Sequence, residues 1–129
     1  MRAVDTNIVV RVIVADDAVQ LARAAAIIAA GVVVPLTVLL ETEWVLRSNY
    51  RFARTRIADA LTGIFDIETI VIADEPLVRW AIERYRAGAD FADMLHLIAA
   101  RGAEAFVTFD RDLAKDAGAA APVAVETIE

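Results

Sequence analysis

The chain contains no cysteine among its 129 residues, a single histidine, His96, and a single lysine, Lys115. The lack of thiols excludes disulfide frameworks, thiolate nucleophiles and Cys-ligated zinc. Such a chain suits a reducing cytoplasm, which is the expected location. Long apolar runs are also missing, despite a mean hydropathy of +0.54. The stretch from Ile8 to Val14 is broken by Arg11, and the one from Ala24 to Val34 contains Gly31. Neither approaches the roughly 20 residues of a membrane-spanning helix, so no membrane association is expected. Asp5 follows Met-Arg-Ala-Val with no cationic segment and apolar stretch, so no signal peptide is expected either. Positive charge is scarce: 13 Lys and Arg stand against 19 Asp and Glu, a formal charge of −6. That balance excludes a simple nucleic-acid coat, so any phosphate-binding surface must concentrate its cations locally.

The length fits one domain over residues 1–129 with a core of useful size. Arg2 to Val4 reads as a buried strand, with Thr6 capping a helix from Asn7. A second helix spans about 18 to 30 and stops at Gly31. Val32-Val33-Val34 is a strand closed by Pro35, and Thr37 caps a helix to about Ser48, with another from about Thr55 to Phe65. Thr69 to Ile72 is a third strand. Asp74-Glu75-Pro76 starts a helix ending near Gly88, and Asp90 opens another ending at Gly102. Ala105 to Thr108 is the fourth strand, with a short helix near Leu113 to Ala117 and an edge strand at Val123 to Val125. Strands separated by helices, without hairpin signals, predict an α/β fold with a central parallel sheet of four to five strands, covered by helices on both faces.

Two strands end on an acid, at Asp5 and Asp110, and the carboxyl ends of parallel strands are where such sheets place their sites. Right-handed crossovers would put both at one edge. In the helix from Thr37, Glu41 shares a face with Val38, Trp44 and Val45, whereas Glu43 has Arg47 four residues on as an ion-pair partner. Asp90 and Asp93 stand in the first turn of their helix, where N-capping and a capping box would also explain them. Asp110 and Asp112 fit turn and cap roles equally well. Carboxylates gathered at one edge repel, by about 4 kcal/mol per pair at about 4 Å and an effective dielectric of about 20. Either their pKa values rise or a divalent cation sits among them. Oxygen donors without cysteine point to Mg2+ or Mn2+, and so to phosphodiester hydrolysis.

These residues resemble the PIN-domain nucleases, and among them the VapC-type ribonuclease toxins of type II toxin–antitoxin pairs. The resemblance rests on Val4-Asp5-Thr6-Asn7, Leu40-Glu41-Thr42-Glu43-Trp44-Val45-Leu46, Asp90-Phe91-Ala92-Asp93 and Thr108-Phe109-Asp110-Arg111-Asp112, which follow in family order along nearly the whole chain. It implies a PIN-like three-layer α/β/α fold and a Mg2+-dependent endoribonuclease, with Mn2+ as an alternative ion. Asp5, Glu41, Asp93 and Asp110 would be the catalytic, metal-binding acids. Glu41 is the family glutamate because it lies three residues before Trp44. Thr6, Asn7 and Thr108 would orient ligands or water, with Asp90 and Asp112 as secondary candidates. No acid of the pattern is missing. The product would be RNA cut to 5′-phosphate and 3′-hydroxyl ends, and the implied partners are a VapB-like antitoxin and a second copy in a homodimer.

Arg47, Tyr50, Arg51, Phe52, Arg54 and Arg56 form the one dense basic segment with interleaved aromatics, a candidate RNA grip or simply a solvated face. His96 reads as surface or packing, and Trp44 and Trp80 read as core. A receiver-type signalling domain would need a late strand-end lysine, yet Lys115 falls in a helix. A haloacid-dehalogenase-type phosphatase would need an aspartate where Asn7 stands. The alternative of another class is a non-catalytic, metal-binding RNA or protein interaction module of PIN-like fold.

Overall fold

A computed structural model describes residues 1–129 as two compact units, Met1–Ala73 and Asp74–Glu129. The first contains β1 (Arg2–Ala3), α1 (Thr6–Val14), α2 (Ala18–Ala29), β2 (Val32–Val33), α3 (Leu36–Ser48), α4 (Arg54–Ile64) and β3 (Ile70–Val71). Its strands pair in parallel in the order β1-β2-β3, with Arg2 opposite Val32 and Val32 opposite Ile70. Hydrogen bonds from Val4 N to Val33 O (3.2 Å) and Val34 N to Val71 O (3.0 Å) continue both ladders beyond the strands. Parallel neighbours require crossovers, and the helical segments between them supply these. Val4, Val9, Val10, Val32, Val34, Leu39, Leu46, Ile57 and Leu61 are all buried in this unit.

Local chemistry sets most helix ends here. Asp17 caps α2, accepting from Val19 N and Gln20 N at 3.0 Å each, and Gly31 follows that helix at φ 92°. A side chain resists such a φ, so glycine belongs at that position. Three expectations are corrected. Asp5, not Thr6, caps α1, because Asp5 keeps extended backbone and its carboxylate accepts from Asn7 N while Thr6 enters the first turn. Pro35, without a side-chain cap, precedes α3 in place of Thr37. Arg2 and Ala3 are exposed, so only Val4 of that strand is buried.

The second unit contains α5 (Glu75–Arg86), α6 (Phe91–Ala99), β4 (Phe106–Thr108), α7 (Leu113–Ala117) and β5 (Val125–Thr127). β4 and β5 pair in parallel, Phe106 opposite Val125. α5 packs on α6, with Tyr85 and Phe91 edge to face at 5.5 Å between ring centroids. Arg84 fastens α5 to the end of α7 by donating to Asp116 O (2.6 Å) and Lys115 O (3.3 Å). Five strands form and all pair in parallel, as expected, but in separate ladders of three and two where the sequence predicts one central sheet of four to five strands. Each strand-end aspartate thus belongs to its own ladder.

Candidate active site

In the first unit, β1 delivers the chain to Asp5, whose Oδ1 accepts from Asn7 N at 3.1 Å. The next residue, Thr6, is buried and donates its hydroxyl to Glu41 Oε1 on α3 at 2.5 Å. One peptide therefore joins the Asp5 carboxylate to the group that orients Glu41. Asn7 is exposed, and its side-chain amide has no hydrogen bond within the chain.

The apolar setting expected for Glu41 is not found. α3 turns Leu39, Thr42, Glu43 and Leu46 inward, at helical spacing, and leaves Glu41 on the opposite, exposed side. The buried carboxylate is Glu43, 4% exposed and ion-paired to Arg47 Nε at 2.8 Å. Trp44, expected in the core, is 52% exposed, because two leucines outcompete it for the inward face. Arg47 donates to Glu43, and its side chain remains 54% exposed. Arg51 stands exposed at φ 55°, Arg54 is exposed, and Arg56 lies over the Phe52 ring at 3.7 Å from its centroid.

In the second unit, Asp90 caps α6 by accepting from Asp93 N at 3.0 Å. The reciprocal capping-box bond from Asp93 is absent. Asp93 is half-buried, and its pKa is raised above the usual 3.8, chiefly by burial and next by the Asp90 charge. His96 opposes the shift, while Asp110 and Asp116 add to it. Asp116 is a contributor that sequence reading missed, since nothing in its short helix signals proximity to Asp93. After β4, Thr108 Oγ1 accepts from Asp110 N at 2.9 Å, and Asp110 Oδ1 accepts from Asp112 N at 2.9 Å. Asp112 opens α7 without a side-chain capping bond. Phe109, between them, is 72% exposed.

The donor set in both units is all oxygen and anionic, which suits a hard divalent cation. The charges of Asp90, Asp110 and Asp116 raise the Asp93 pKa beside the larger effect of burial, and a divalent cation would offset them. No group of three or more acidic or histidine side chains stands at the separations that would hold one ion. The chemistry of the donors therefore fits a metal, while their spacing is not that of a closed cage.

Searches of curated proteins and of solved structures gave no significant match. Residues 2–118 match the PIN domain, a family whose members are generally nucleases using divalent metal ions. The matched span and the parallel α/β architecture agree, and the chain belongs to the PIN domain family, with its α/β/α fold.

Proposed function

We propose that the chain is a Mg2+- or Mn2+-dependent endoribonuclease whose Asp5, Glu41, Asp93 and Asp110 are its catalytic, metal-binding acids. The observation that carries this reading is the setting of Asp93, a half-buried carboxylate whose protonated form is favoured by burial and by Asp90, Asp110 and Asp116. Negative charge concentrated in this way, in a PIN domain, is what a divalent cation offsets. When bound, such an ion activates water and stabilises charge on the phosphoryl oxygens. The chain's own part is orientation. Asn7 N fixes Asp5, Thr6 fixes Glu41, Asp112 N fixes Asp110, and Asp90 fixes the turn that presents Asp93. Arg51, Arg54 and Arg56 help to hold the RNA.

The reading extends to a toxin of VapBC type that blocks translation in the cytoplasm, acts as a homodimer and is silenced by a small antitoxin. The test compares wild type with Asp5→Asn and Asp93→Asn on tRNA and rRNA, with Mg2+ and with EDTA. Cutting by wild type alone, abolished by EDTA, is the expected result. A wild type that cuts nothing, or variants that cut equally well, would leave a non-catalytic interaction module in its place. Growth arrest on expression, relieved by the same substitutions, tests the toxin role.

A further inference from the structure

We propose that a trough between α1 and α2 carries single-stranded RNA along the first unit towards Asp5, an assignment that rests on the ribonuclease reading. Two concavities meet there. One, of about 410 Å3, is bordered by Asn7, Arg11, Gln20 and Arg23. The other, of about 360 Å3, reaches Arg2 and Asp5. Ile8 and Ile27 line both, so the two run into one another.

Several of the chain's arginines have acidic partners: Arg47 pairs with Glu43, Arg79 with Glu75, Arg86 with Glu83 and Arg101 with Asp74. Arg2 and Arg23 have none. In a protein of formal charge −6, two unpaired guanidinium groups on one trough mark a place for an anion. Arg11 adds a third, held only by a solvent-screened contact to Asp16 at 3.3 Å and by Tyr50. The side-chain amides of Asn7 and Gln20 make no hydrogen bond within the chain and are available to base edges. Ile8 and Ile27 provide an apolar floor for sugar and base. Separated cations, open amides and apolar floor together match a flexible polyanion with flat apolar groups, which is single-stranded RNA.

The experiment is anisotropy of a labelled oligouridylate in EDTA, where binding is read without cleavage. The Arg2→Gln/Arg23→Gln protein should bind about tenfold more weakly. Its log affinity against log salt should flatten by about 1.4, since each lost contact to a single strand removes about 0.7. Arg2→Lys/Arg23→Lys should keep the wild-type slope, and because both positions are exposed, melting temperatures should not move. Unchanged affinity and slope in the glutamine variant, or no binding by wild type, overturns the trough. An oligoglutamate that binds wild type more tightly than the RNA overturns the RNA assignment in favour of an acidic peptide. If binding weakens as expected but wild type cuts no RNA with Mg2+, the nuclease reading fails and the trough stands. If wild type cuts and the glutamine variant binds and cuts equally, the trough alone fails.

Discussion

Thr6 donates its hydroxyl to Glu41 Oε1 at 2.5 Å, joining the first turn of α1 to the middle of α3 across 35 residues. A charge-assisted bond of this kind contributes about 1.5–3 kcal/mol. Thr6→Val keeps shape and burial but removes the donor, so urea denaturation should report a loss of about 1–3 kcal/mol. RNA cleavage should fall at least tenfold, and Thr6→Ser should restore both. Full activity in Thr6→Val would show that Glu41 needs no orientation.

Asp93 sets a pH dependence. Its folded pKa lies above the ordinary 3.8, first through burial and then through Asp90, so between those values the folded state binds more protons than the unfolded one. Stability contributed by this residue therefore falls as pH rises through that window and stays reduced above it. In EDTA, Asp93→Asn should melt higher than wild type at pH 7, with the gap closing as pH drops below 3.8. Mn2+ should raise the melting temperature of wild type and not of the variant. Identical melts at pH 7 would contradict this account.

Arg47 is expected to act on stability through its pair with Glu43. Arg47→Ala takes the guanidinium from a carboxylate that is 4% exposed. A loss of about 1–3 kcal/mol should appear in chemical denaturation. Oligouridylate affinity should stay within twofold of wild type, whereas Arg51→Gln/Arg54→Gln should weaken it and lower the salt slope.

Ala15 ends α1 at φ 55°, with its N–H bonded to Arg11 O. A Cβ in that conformation costs about 1 kcal/mol, which glycine avoids. Ala15→Gly should therefore stabilise the protein by about 0.5–1 kcal/mol after the greater freedom of its unfolded chain is subtracted. A lower denaturation midpoint would refute this.

What the sequence made legible was local. Gly31 and Asp90 act within four residues of themselves, so stop and cap chemistry located the end of α2 and the start of α6 almost to the residue, whereas α6 ends at Ala99, three residues before the expected Gly102. The Glu43–Arg47 pair followed from helical spacing in the same way. The inward face of α3 did not, because apolar residues flank both sides and only tertiary packing chose Leu39 and Leu46 over Val38 and Trp44. The Thr6–Glu41 bond and the influence of Asp116 on Asp93 depend on contacts between distant positions, which leave no local pattern.

Asp5 and Asp110 each give one oxygen to the amide two residues ahead, closing a small ring of fixed size. A glutamate in either place would add a methylene to that ring, so it would have to forfeit the turn or swing its second oxygen elsewhere. Identity at these two positions is thus dictated by ring geometry as much as by charge. A substitution that preserves the anion should be nearly as damaging as one that neutralises it.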